Sequence, residues 1–352
     1  MFRKEFAAWQ PYRVNKIATY DLGNNENRII DWSFLADETL KHIEVSDLTF
    51  YGDNAYQEIR SAYATYLGVK PELVAVGVGS DHLIHMIVTS FMAKDDVFLG
   101  VNPDFFMYQV YNQLHGSHFE SYNLDWSEGT FVLSAEKILE RAEEVNAKMI
   151  MISNPNNPSS VAYPIEVLEE IAGKFKGLLV VDEAYIEFAS VESFISRLEN
   201  YPNVIVLRTM SKAFGLAGLR LGFAISSSEV IHEINKVMPP FSLSNLTAKM
   251  GSIALKYVEN VQDSVEKTKV LREEFSAFLQ TLPDCHVLPS QTSFVTFTAP
   301  WAEQLHQKAT QDEWNFKYYP AGALKHYIRL SIGRPDEMAK LTEFIKAFLD
   351  LT

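Results

Sequence analysis

Residues 208–222 read RTMSKAFGLAGLRLG, a segment in which a single lysine, Lys212, stands between Ser211 and glycines at 215, 218 and 222, with Arg220 eight residues further on. An exposed lysine keeps its proton up to about pH 10.4, so its amine is a poor nucleophile at neutral pH. Burial beside other cations lowers that value and lets the amine condense with a carbonyl. Arg208 and Arg220 are the candidate cations, and the glycines leave room for a bulky ligand close to the backbone. A lone lysine among glycines is more often a solvated turn residue. The reading therefore depends on its company.

That company begins at VVDEAYIEF (180–188), where Asp182 ends an apolar run that reads as a buried strand. Open α/β sheets bind ligands at the carboxyl ends of their strands. An acid there, set against a pyridine nitrogen, keeps that nitrogen protonated: at about 4 Å and an effective dielectric near 20 the attraction is roughly 4 kcal/mol, or about three pKa units. A protonated ring drains charge from an adjacent carbanion, the electron-sink chemistry of pyridoxal phosphate. Tyr185 is placed to reach the ring's phenolic oxygen. Taken singly, Asp182 is equally a capping or salt-bridged acid and Tyr185 a core aromatic. SNPNNPS (153–159) is a turn-forming string directly after another predicted strand, and an asparagine amide in it can donate to the same oxygen. In GVGSDHLI (77–84) a strand passes into a helix through glycines, so free amides and the helix dipole make a phosphate seat, which Arg220, Ser211 and Thr209 can complete.

The elements that must position these groups alternate. Apolar runs at 72–79, 96–100, 148–153, 177–184, 203–209 and 220–226 read as buried strands; 55–67, 80–92 and 164–175 read as helices, with Ser80 and Asp81 as caps of the second. This pattern predicts an α/β fold with a mainly parallel sheet and helices on both faces. A long amphipathic stretch over 247–282, strands at 293–298 and 327–333 and a helix from about Asp336 predict a smaller α+β unit. The expected division is an N-terminal arm (1–30), a large domain (31–245) and a small C-terminal domain (246–352). The first thirty or so residues have weak periodicity and are expected to cover a surface or a partner.

With 352 residues, 47% of them apolar, the chain has ample material for a core, and a net charge of −14 disfavours nucleic acid or an anionic membrane as partner. Its partner is expected to be small. A single cysteine, Cys285, excludes an intrachain disulfide and fits a reducing compartment. The nine histidines lack ligand spacing, so no metal site is expected. No signal peptide and no run of roughly 18 apolar residues is present, which makes the cytoplasm the expected location.

Together, PYR (11–13), NNEN (24–27), FYGDNAYQEIRSAYATYLGV (50–69), GVGSD, NPDFFMY (102–108), NPNNP, VVDEAYIEF, RTMSKAFGLAGLRLGF and YIRLSIG (327–333) resemble, in order and over nearly the whole chain, the fold-type I pyridoxal-phosphate aminotransferases. The resemblance is closest to the histidinol-phosphate aminotransferase group. It implies that Lys212 bonds the cofactor and moves a proton at the substrate's α-carbon, that Asp182 pairs with the pyridine nitrogen, and that Asn157 and Tyr185 contact the phenolic oxygen. Phe105 matches the ring-stacking aromatic, where the family usually has tyrosine. Ser80 and Asp81 match the phosphate turn, with Ser211 and Arg220; Tyr51 matches a tyrosine lent by the neighbouring subunit, which implies a homodimer. Arg329 matches the arginine that grips the substrate's α-carboxylate or its equivalent, Tyr12 a substrate contact, and Lys317 stands where histidinol-phosphate enzymes tend to have a second arginine for the substrate phosphate. The resemblance implies transamination between an amino donor and a 2-oxo acid, with histidinol phosphate and 2-oxoglutarate as leading pair and an aromatic amino acid as the next donor. The same fold also serves decarboxylases and lyases, and a non-catalytic sensor is a third reading, which the absence of a basic helical segment disfavours.

Overall fold

The computed structural model describes Phe6, Trp9 and residues 18–350. The apolar runs form strands β1 (Val74–Val78), β2 (Val97–Asn102), β3 (His118–Asn123), β4 (Ala147–Ser153), β5 (Leu178–Asp182), β6 (Val204–Thr209) and β7 (Leu221–Ile225). They make one seven-stranded sheet in the order β1-β7-β6-β5-β4-β2-β3. Strands β2 to β6 run parallel, as expected, whereas β7 is antiparallel to both of its neighbours. The link between β6 and β7, residues 210–220, holds no crossover helix, and a parallel partner requires a connection of a dozen or more residues. Strand β3, HFESYN, has too little apolar character to read as a strand; it lies at the sheet's edge, where one side needs no partner.

Alternation along the strands feeds both faces. Phe98, Met149, Met151, Val180 and Ile205 pack on one side and Leu99, Ile150, Ile152, Val181 and Val206 on the other. A sheet buried on both faces needs continuous apolar runs, which is why these strands stand out in the sequence. Helix α1 (Gly79–Phe91) follows β1 directly. Ser80 and Asp81 are not its caps: Val78 holds that position without a side-chain bond, and both residues lie in the first turn. The reason is Gly79, whose φ of +78° turns the chain from strand into helix within one residue.

A second, antiparallel sheet comprises β8 (His286–Val287), β9 (Phe294–Thr298), β10 (Lys317–Tyr319) and β11 (Tyr327–Ser331), in the order β8-β9-β11-β10. The long amphipathic stretch forms two helices, Asn245–Ala254 and Val258–Gln280, joined by a 3-10 turn at Leu255–Tyr257. Residues 20–32 form a strap. Tyr20 and Asp21 pair with Trp314 and Asn315 beside the second sheet. Further along, Asn27 Nδ2 donates to the Ala213 carbonyl at 2.9 Å, Trp32 Nε1 to that of Phe214 at 2.6 Å, and Arg28 meets the buried carboxylate of Glu337 at 2.6 Å. The strap ties the second sheet to the loop that carries Lys212.

Candidate active site

A cavity of about 400 Å³ opens at the carboxyl ends of the parallel strands. Strand ends deliver Asp182 from β5 and Thr209 from β6, the loop after β4 delivers Asn157, and the β6–β7 loop delivers Ser211, Lys212 and Arg220. Ser80 and Asp81 reach it from the start of α1, Phe105 from the loop after β2, and Tyr185 from the turn after β5. Lys317 and Arg329 come from the second sheet. Tyr51, expected to serve a neighbouring subunit's site, does not line the cavity of its own chain. Tyr51 is 81% exposed, stacked on Phe241 with ring centroids 4.5 Å apart, and Tyr12 lies outside the described residues.

Asp182 is buried at the floor. Desolvation pushes its acid up to about 6, against hydrogen bonds from the Tyr108 hydroxyl (2.8 Å) and the Ala184 amide (3.1 Å) that favour the charged form. A cation placed against it would offset the desolvation and hold it ionised. Lys212 Nζ donates to the Asn24 carbonyl at 3.3 Å and lies 5.7 Å from the centre of the Tyr185 ring. Arg208, a candidate cation for this lysine, does not face it: its guanidinium is buried against Glu183 (3.1 Å) and Glu187 (2.6 Å). Neighbouring residues of a strand point to opposite faces, so Arg208 and Thr209 cannot both point into the cavity.

Where β7 meets the start of α1, backbone closeness is built in. A Cβ on Gly222 would sit 2.3 Å from the carbonyl carbon of Gly79 and the amide nitrogen of Ser80, and one on Gly79 would sit 2.5 Å from Arg220 Nη2. Only glycine lets β7 and the start of α1 converge so that amides and guanidinium face one spot. Arg220 also bonds the Ser211 hydroxyl (3.4 Å) and lies 3.7 Å from Asp81, whose acid burial pushes up and Arg220 pulls back. The Thr209 hydroxyl donates to the Leu221 carbonyl at 3.2 Å and accepts from the Ser211 amide at 3.1 Å, so it braces the turn.

Asn157 Oδ1 accepts from Arg329 Nη1 at 2.6 Å, which orients its amide and leaves Nδ2 a donor on the cavity side. Arg329 Nη2 donates to the Gly23 carbonyl at 2.7 Å, while its buried Nε has no partner. The Tyr185 hydroxyl accepts from Asn25 Nδ2 at 2.9 Å, so its own proton is free to be donated. Sequence reasoning missed the strap residues Gly23, Asn24 and Asn25, Tyr108, Asp104 and Tyr319, all of which line the cavity. The motifs NNEN and NPDFFMY contain four of them; Tyr319 carries no signal, since its facing depends on strand register.

Pyridoxal phosphate fits this set: a buried acid for its ring nitrogen, two oriented donors for its phenolic oxygen, an amine with no ion pair among the described residues for its aldehyde, and a cradle for its phosphate that any Cβ at residue 79 or 222 would fill. Fold and site define a pyridoxal-phosphate enzyme that acts on amines. Residues 18–345 match the family of aminotransferases of class I and II. The histidinol-phosphate aminotransferase of Clostridium novyi (strain NT) is 30% identical over 347 residues, covering 98% of this chain and 96% of that protein. Among solved structures, the histidinol-phosphate aminotransferase of Sinorhizobium meliloti in complex with pyridoxal-5'-phosphate superposes with a TM-score of 0.85 at 24% identity, covering 95% of this chain and 92% of that one. The L-threonine-O-3-phosphate decarboxylase of Porphyromonas gingivalis superposes with a TM-score of 0.80 at 16% identity, covering 94% and 99%. At these identities the structural likenesses carry the fold alone. The chain belongs to the aminotransferase class I and II family and is a pyridoxal-phosphate-dependent transaminase of fold type I.

Proposed function

We propose that this transaminase moves the amino group of histidinol phosphate to 2-oxoglutarate. Full-length similarity to a histidinol-phosphate aminotransferase supports the donor, and Lys317, which has no ion-pair partner among the described residues, supports a donor that carries a phosphate. Bound in the cavity, the cofactor supplies an electron sink for charge that develops at the donor's α-carbon. Lys212 Nζ carries the proton removed from that carbon. Asp182 holds the ring nitrogen's proton, and Tyr185 Oη and Asn157 Nδ2 donate to the phenolic oxygen. Phe105 covers one ring face. Ser80 and Asp81 offer amides to the phosphate, with Ser211 and Arg220 as side-chain donors and Thr209 bracing the turn. Arg329 grips the substrate's α-carboxylate or its equivalent as a forked donor, and Lys317 meets the substrate phosphate as a point charge. Tyr12 is assigned to the substrate by resemblance alone.

The single observation that carries the site roles is that Lys212, Asp182, Asn157, Tyr185 and Arg220, scattered over four loops and strand ends, converge on one cavity. Turnover of a panel of donors with 2-oxoglutarate, followed by glutamate release, tests the substrate. Histidinol phosphate should exceed phenylalanine in kcat/KM by at least about 10-fold, the worth of one charge-assisted contact. Equal turnover of phenylalanine, or carbon dioxide release without an oxo acid, overturns the reading.

We also infer a cytoplasmic homodimer, a large domain over 31–245 and a small one over 246–352. The central sheet lies within 74–225 and the second within 286–331, which supports the division. Among the described residues no helix is long and apolar enough to cross a membrane. The exposed Tyr51, outside its own chain's cavity lining, supports a role in a neighbour's site. Hybrid dimers of a Tyr51→Phe and a Lys212→Ala chain should regain activity, since one of the two sites then has both residues. No recovery under verified subunit exchange removes the shared site.

A further inference from the structure

The NPDFFMY motif holds a cavity-lining acid, Asp104, to which the proposed roles give no task. Its Oδ1 accepts from the Phe105 amide at 2.7 Å and from the Ser153 hydroxyl, and its Oδ2 from the Ser153 amide at 3.1 Å. Ser153 Oγ in turn accepts from the Asn157 amide and from Asn156 Nδ2, each at 3.1 Å. A hydroxyl that accepts twice must send its one proton elsewhere, and Asp104 is where it goes. Asn156 Nδ2 also donates to the Pro103 carbonyl at 3.1 Å, which closes the circuit between the loops after β2 and β4.

We propose that Asp104 is a positioning residue for the cofactor: through Ser153 it fixes Asn157, and through its own chain it fixes Phe105, so one carboxyl sets the donor at the ring's edge and the aromatic on its face. This rests on the site roles proposed above. Desolvation pushes the Asp104 acid up to about 8, against the pull of the Ser153 and Phe105 donors. At neutral pH it therefore adds little charge beside Asp182 while still accepting.

The test compares Asp104→Ala and Ser153→Ala with the wild-type holoenzyme, reading the dissociation constant of pyridoxal phosphate, the pH midpoint of the bound cofactor's absorbance and the melting temperature. Each variant should weaken cofactor binding about 10-fold, as loss of one buried hydrogen bond predicts, and raise the midpoint by about one pH unit as the phenolic oxygen loses its oriented donor. The double variant should be no worse than the single ones, because both cut the same chain. A lowered melting temperature with binding and midpoint unchanged, or fully additive losses, overturns the proposal. If Asp104→Ala fails to fold, Ser153→Ala alone decides by the same criteria. Failure of the wild type itself to bind pyridoxal phosphate would instead strike the site roles on which this rests.

Discussion

The floor of the cavity and its rim are built on different terms. On the floor, most polar groups are already engaged: Tyr108 and the Ala184 amide hold Asp182, Arg329 orients Asn157, Asn25 orients Tyr185, and Thr209 braces the turn that carries Ser211. At the rim, Lys317 has no ion-pair partner among the described residues, and Arg329 keeps a buried Nε without an acceptor. The floor comes from the ends of the parallel strands, the rim from the second sheet and the strap. Preorganised groups favour chemistry that is the same for every substrate, since little reorganisation remains when charge develops. Free cations favour selection, because each awaits an anion that only some substrates bring.

The sharpest way to break this contrast is at Lys212. Lys212→Ala should abolish the absorbance of the lysine-bound cofactor and lower turnover by at least about 10³-fold for every donor alike. Retention of that absorbance would assign the covalent bond to another lysine. At the rim, Lys317→Ala should raise KM for histidinol phosphate about 10-fold and leave KM for 2-oxoglutarate within about two-fold. Lys317→Arg should keep most of the affinity. A loss in kcat common to all substrates would place Lys317 with the floor instead.

A smaller effect concerns the acid at 182 in the cofactor-free protein. Its folded pKa, raised by desolvation to about 6, exceeds the 3.8 of an unperturbed aspartate. Between those values the folded state retains a proton that the unfolded chain releases, so the stability due to the neutral acid is complete below about pH 3.8 and is lost as pH rises through 6. Compared with Asp182→Asn, the wild type should lose on the order of 2 kcal/mol in denaturant unfolding between pH 4.5 and 6.5. Parallel curves for the two proteins would mean that Asp182 titrates normally, and the floor would then lack its strained acid.

Much of the floor is legible in the amino-acid sequence, because parallel strands buried on both faces announce themselves as apolar runs and their carboxyl ends mark the ligand edge. Asp182 at the end of β5 and Asn157 after β4 follow from that rule. The edge strand β3 and the reversal of β7 do not, the first because an edge strand is free to be polar, the second because direction depends on the length of the link. Ser80 and Asp81 belong to the site but not to the helix cap, since Gly79 makes a side-chain cap unnecessary.

By itself, then, the order of residues determined the alternating elements, the candidate lysine and acid, and the glycines that close backbone approach demands, because these depend on local periodicity and on side-chain type. Which groups face one another was decided only by tertiary structure. Arg208 and Arg220 look alike in sequence, yet one is spent on Glu183 and Glu187 across the sheet and the other turns toward the cavity. Gly23, Asn24 and Asn25 meet Arg329, Lys212 and Tyr185 across wide separations in the chain. Such contacts depend on strand register and strap path, which short-range pattern does not encode.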